Sequence, residues 1–132
     1  MLPEELVQVD GFIQNNELIH IYKTADCGVL PTRLMEGNSL FLMECQAMGV
    51  PVIATRIGGV PDVVRDGIDG ILLPEAATAQ ELAEAMMGMI EKRNEWESRR
   101  NEIMTHARQK FNYERVAMQI KNLVMEVLDN GK

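Results

Sequence analysis

Short apolar runs bounded by Gly and Pro alternate with stretches of helical periodicity from Val7 to Pro74. Val7 to Phe12 alternates apolar and polar positions, which predicts a short strand closing near Gly11. Asn15 or Asn16 is placed to cap a helix from about Glu17 to Ala25, whose Leu18, Ile21, Tyr22 and Ala25 share one face and are expected in the core. Cys27 to Leu30 is a continuous apolar run stopped by Pro31, the pattern of a strand buried on both faces of a parallel sheet. A loop through Asn38 leads into a helix from about Ser39 to Met48, with Gly49 at its C-cap and Val50-Pro51 blocking continuation. Val52-Ile53-Ala54 is the next strand. Gly58 and Gly59 then turn the chain into a helical turn around Pro61 to Arg65, and Ile71-Leu72-Leu73 forms a further strand after the Asp66-Gly67 and Asp69-Gly70 turns. Strand and helix in alternation predict a layered α/β fold around a mostly parallel sheet of about four strands.

The last third is helical throughout. Thr78 and Glu81 make a capping-box pair for a helix through about Lys92, with Leu82, Met86, Met89 and Ile90 on one face. Asn94 and Glu97 repeat the pair for a second helix, where Trp96, Ile103, Ala107 and Phe111 point inward. Asn112 opens a third, whose Val116, Ile120, Leu123, Val124 and Val127 recur at the spacing that packs on the domain. Met stripes at such spacing read as core rather than as a partner surface. No internal repeat, low-complexity segment or long linker interrupts the 132 residues, which form one domain's worth of chain.

Composition narrows the function. With 46% hydrophobic and 25% charged residues the chain is a folded globular protein, and a net charge of -7 argues against nucleic acid or an anionic membrane as its partner. Cys27 and Cys45 stand in apolar surroundings without a CxxC spacing, so they read as free thiols in a reducing compartment. His20 and His106 are isolated on helices, expected to face solvent, and no metal site is expected. The sequence has no apolar run long enough to span a membrane and no signal-peptide pattern, so a cytoplasmic protein is expected.

The candidate chemistry lies in Pro31–Gly59. Glu36 and Glu44 are separated by seven residues, with Gly37-Asn38-Ser39 between the first acid and the helix start. A helix N-terminus carries free N–H groups and a partial positive charge that suit a phosphate, and flanking carboxylates accept hydrogen bonds from sugar hydroxyls. The ligand implied has both groups.

Six features in order carry a resemblance: the strand ending in Pro31-Thr32, the acids Glu36 and Glu44, GVPVIAT, GGVPDVV, DGIDGILLP and KFNYERVA. Together they resemble the C-terminal domain of retaining glycosyltransferases of the GT-B fold, family 4 (glycosyl transferases group 1). The resemblance implies a three-layer Rossmann-like sheet at about 7–74 followed by C-terminal helices at about 78–129, in a single partial donor-binding domain over 1–132. It also implies that the chain binds a nucleoside diphosphate sugar, with no cofactor and no metal. Glu36 corresponds to the acid on the donor sugar and enters as catalytic. Glu44 corresponds to the acid on the ribose. Gly37 and the backbone N–H groups of Asn38, Ser39 and Leu40 would meet the diphosphate, Phe12 lies where relatives bracket the base, and the Gly58-Gly59 loop approaches the donor.

Departures from the pattern matter equally. Gly37-Asn38-Ser39 stands where relatives often have Gly-Phe-Gly. The Arg and Lys that hold the diphosphate in relatives lie upstream of the segment present, as do the first strand-helix unit and the N-terminal acceptor domain. Arg33 holds neither family position and is expected to face solvent. The chain is therefore expected to be inactive alone, with its acceptor unassigned and a second copy as a candidate cover for exposed sheet edges. Two other readings stay open: a non-catalytic nucleotide-binding or protein-interaction module, and a GT-B sugar-nucleotide epimerase or phosphorylase.

Overall fold

Three of the apolar runs lie side by side. In the computed structural model, which describes residues 6–130, β1 (Gly28–Leu30), β2 (Val52–Thr55) and β3 (Gly70–Leu73) form a parallel sheet in that order. Gly28 lies opposite Val52, and Val52 opposite Gly70, so one register runs across all three strands. Every residue of the central strand is buried, as expected where both faces are covered. Alternation along the strand divides the core. Val52 and Ala54 join Leu42, Cys45, Val60 and Val63 on one side, whereas Ile53 joins Leu73, Met89 and Trp96 on the other.

Helices supply the outer layers. α2 (Leu40–Ala47) and α3 (Val60–Val63) cover the first face, and α4 (Ala79–Glu91) with the start of α5 (Arg93–Lys110) covers the second. α2 ends as its sequence requires. Gly49 adopts φ 75°, its N–H donates to Gln46 O at 2.9 Å, and the Val50 N–H donates to Cys45 O at 2.8 Å, the paired bonds of a Schellman close. A Cβ on Gly49 would stand 2.8 Å from Arg100 O, so α5 crosses against this turn. From there α5 runs along α2 with Ile103 and Ala107 buried, and Phe111, just past its end, packs against the first core. The capping box forms in full, with Thr78 Oγ1 accepting from the Glu81 N–H and Glu81 Oε2 accepting from the Thr78 N–H.

Several expectations need correction. Val7–Phe12 forms no strand, so the sheet has three strands among the described residues rather than four. An alternating segment with no neighbour to complete its ladder is not stable as a strand. α1 (Asn15–Thr24) starts earlier than expected and has no side-chain cap; Tyr22 and Ala25 pack on the core, while Leu18 is only half-buried and Ile21 is exposed. Asn94 and Glu97 make no capping box, because α5 already begins at Arg93 and the Trp96 N–H bonds Lys92 O. Met86 and Ile90 remain exposed beside a cavity of about 300 Å³ also lined by Cys27, Pro51 and Trp96. His106 is half-buried, with no hydrogen-bond partner for its buried Nε2 among the described residues.

α6 (Tyr113–Asn130) starts as expected, with Asn112 Oδ1 accepting from the N–H groups of Glu114 and Arg115 at 2.9 and 3.2 Å. Its apolar stripe does not pack. Val116, Ile120, Leu123, Val124 and Val127 are 44–71% exposed, because no other element runs along the helix among the described residues. The stripe has helical periodicity without a buried face. No helix among the described residues is long and apolar enough to cross a membrane.

Candidate functional site

All three strands deliver their following loops to one end of the sheet, the carboxyl end, where open α/β sheets bind ligands. The loop after β1 is tied down at its root, where Thr55 Oγ1 donates to Thr32 O at 2.5 Å. Further along it meets the loop after β2. The Gly59 N–H donates to Glu36 O at 2.8 Å. Gly58 adopts φ 53°, and a Cβ there would stand 2.1 Å from Glu36 O; at Gly59 it would stand 2.6 Å from Gly37 O. The two glycines therefore let one loop backbone lie directly on the other, a stronger requirement than a turn alone. Glu36 is half-buried on the clamped loop.

The same loop feeds the N-terminus of α2. Ser39 is the buried N-cap, and its hydroxyl makes no capping bond. The Met43 N–H reaches back to Ser39 O, so the N–H groups of Leu40, Phe41 and Leu42 precede the first intrahelical donor. They carry the positive end of the helix dipole. Asn38, exposed at this point, lines an open cleft of about 790 Å³ with Met43, Asp62, Lys110 and Phe111.

Glu44 follows on the outer face of α2 and lines a different, smaller cleft of about 200 Å³ with Asn15, Leu18, Ile19 and Tyr22. The Tyr22 hydroxyl donates to Glu44 Oε2 at 2.8 Å. Burial, reinforced by the bond to Glu44 and its negative charge, raises the Tyr22 phenol well above its ordinary range. Beneath Glu44, burial and the same negative charge push the Cys45 thiol up to about 12.

The structure thus brings Glu36, Gly37, Gly58 and Gly59 into contact and sets Asn38, Ser39 and Leu40 at the helix start beside them. It places Glu44 about a turn further along, facing its own cleft. Phe12 is 95% exposed on the irregular segment before α1, outside the clefts lined by Asn38 and by Glu44. Arg33 is exposed, lines a cleft of about 170 Å³ with Thr55 and Thr78, and pairs with no acid among the described residues. Arg56 is held by Asp66 at 2.7 Å. Both thiols are free, and no group of three or more His, Cys, Asp or Glu among the described residues is arranged to hold a metal ion. Two partners escaped the sequence reading. Tyr22 looked like a core residue, and the buried Asp69, which accepts from Arg65 Nε at 2.8 Å and from its terminal N at 2.6 Å, looked like a turn residue. The first carries no sequence signal, since the bond joins residues 22 positions apart; the second does, since Arg65 and Asp69 are opposite charges four residues apart.

A parallel sheet with helices on both faces, and loops converging on a helix N-terminus at its carboxyl end, makes this a Rossmann-like α/β protein with a helical C-terminal part. Residues 2–92 match the family Glycosyl transferases group 1, and the chain belongs to that family. It is 41% identical over 69 residues to a D-inositol 3-phosphate glycosyltransferase of Thermobifida fusca, a match covering 52% of this chain and 16% of that protein. It is 33% identical over 112 residues to the protein of the same name from Corynebacterium aurimucosum, covering 85% of this chain and 26% of that one. The chain thus spans about a quarter or less of these relatives' length. Among solved structures, Anabaena HepE in complex with UDP superposes with a TM-score of 0.73 at 23% identity, over 80% of this chain and 29% of that chain, which establishes likeness of fold.

Proposed function

We propose that this chain is the nucleotide-sugar-binding part of a retaining glycosyltransferase of family 4, built on the GT-B plan. The observation that supports it most is the Gly58-Gly59 clamp on the Glu36 loop, which fixes an acid beside the N-terminus of α2, where Ser39 makes no side-chain capping bond. In this reading Glu36 holds a hydroxyl of the donor sugar and Glu44 accepts from the ribose. Gly37 and the amides of Asn38, Ser39 and Leu40 cradle the diphosphate, the Gly58-Gly59 loop borders the donor, and Phe12 is free to lie against the base.

The chemistry asked of the site is modest. Transfer breaks the bond between the anomeric carbon and the diphosphate, and the electron pair leaves with the phosphate oxygen. Preoriented amides and the helix dipole stabilise that developing charge. The carboxylates hold the sugar in position for attack by the acceptor. The reading assigns no metal or cofactor beyond the donor. It places the protein in the cytoplasm, where Cys27 and Cys45 stay reduced. These residues span about a quarter or less of the relatives' length, and on this reading the acceptor site lies outside them, so they alone are expected to transfer no sugar.

Calorimetric titration with UDP, GDP, ADP and their sugars tests the proposal. Binding by the wild-type chain, weakened in a Glu36→Gln, Glu44→Gln double variant, is the expected result; no binding at millimolar ligand refutes it, and sugar transfer by the purified chain refutes its expected inactivity. The exposed stripe of α6 supports a second reading, a non-catalytic module that packs against a partner. On that reading the double substitution leaves nucleotide binding unchanged.

A further inference from the structure

Among the described residues the Tyr22 hydroxyl is the side-chain partner of Glu44, with 2.8 Å between the phenol oxygen and Oε2. Tyr22 is itself held from behind. Its ring lies 6.4 Å from that of Phe41, tilted by 48°, and both pack against the core that contains Leu42 and Cys45. α1 thus delivers a fixed donor to an exposed acid on α2. An exposed Glu on a helix samples several rotamers, and a ligand that needs one of them must first order it. Tyr22 does that ordering during folding. A carboxylate has two oxygens and about four acceptor positions; the phenol occupies one position on Oε2 and leaves Oε1 uncommitted beside the cleft of about 200 Å³.

We propose that Tyr22 is the positioning residue of the ribose contact, pinning Oε2 of Glu44 so that Oε1 accepts from a ribose hydroxyl in this cleft. The inference rests on the donor-site reading above. Burial and the charge of Glu44 both favour the protonated phenol, so the donor is present throughout the physiological range.

The test compares two ligands on four proteins. Of UDP, GDP and ADP, the one bound most tightly by the wild-type chain is titrated in parallel with its 2′,3′-dideoxy counterpart into wild type, Tyr22→Phe, Glu44→Gln and the double variant. Tyr22→Phe is expected to weaken the ribonucleotide about fivefold and the dideoxy form less than about twofold, and the double variant to bind no more weakly than Glu44→Gln alone. Equal weakening of both ligands would assign Tyr22 a purely structural role and overturn the inference. Unchanged or tighter ribonucleotide binding by Tyr22→Phe would also overturn it, the tighter case showing that the phenol competes with the ribose. Failure of the wild-type chain to bind any of the three overturns the donor-site reading as well, and is seen before any variant is made.

Discussion

Replacing Gly58 by Ala measures the clamp on the Glu36 loop directly. Gly58 sits at φ 53°, where an L-residue costs about 1–2 kcal/mol. The new Cβ would stand 2.1 Å from Glu36 O and 3.1 Å from Glu36 N, whereas ordinary contact begins at 3.4 Å. Backbone cannot rotate aside as a side chain does, so the two loops must separate by about 1 Å, an overpacking of about 1–3 kcal/mol. Separation on that scale also breaks the Gly59 N–H to Glu36 O bond, about 1 kcal/mol more. The total, roughly 3–6 kcal/mol, is a large part of a small domain's stability and lowers the melting temperature by on the order of 10 °C. Gly67 supplies the control. It has φ 76° with nothing within 4 Å of an added Cβ, so Gly67→Ala meets the dihedral penalty alone. Melting followed by circular dichroism should place Gly58→Ala well below Gly67→Ala, with nucleotide binding reduced only in the former. Equal melting temperatures for the two variants would refute the argument, since they share the backbone conformation and differ only in the approach of Glu36.

Asp69 is 1% exposed and takes both forks of Arg65, so Asp69→Ala should lower stability by about 3 kcal/mol in urea melts. The exposed pair Arg56–Asp66 should contribute less than about 1 kcal/mol when Arg56 is replaced by Ala. Cys45 gives a pH signature. Its folded value near 12 exceeds the ordinary 9.0, so the folded state holds the proton longer, and its contribution to stability should be fully present below about pH 9 and be lost as pH rises toward 12. A Cys45→Ala variant, less stable at neutral pH because of its cavity, should lose less over the same window; parallel losses in the two proteins would show that other groups cause the fall.

The elements that were legible in the sequence are those specified by short-range chemistry. β1, β2 and β3 are brief apolar runs with Gly or Pro at their ends, and Thr78 with Glu81 writes its cap within four residues. The errors arise where a partner decides. Among the described residues, Val7–Phe12 has the alternation of a strand but no neighbouring strand to complete its ladder, and the stripe on α6 has core periodicity but stays exposed. Asn94 is a good cap that came too late, because the chain had already entered α5 at Arg93. At the candidate site, the placement of Glu36 on the loop before α2 and of Glu44 on α2 itself could be read from their spacing and the neighbouring helix signal. The clamp and the Tyr22 bond could not, since each depends on how closely two distant stretches of backbone approach.

α5 has one further consequence. A single continuous helix places Trp96 in the core on one side of the sheet and Ile103, Ala107 and Phe111 along α2 toward the other, so neither half can open while α5 stays docked. Detaching it uncovers both at once. Such a strap merges two small cores into one cooperative unit, so the start of α2 is protected by the whole domain rather than by its own eight residues. Amide exchange in α2 should then follow global unfolding, reported by the fluorescence of Trp96.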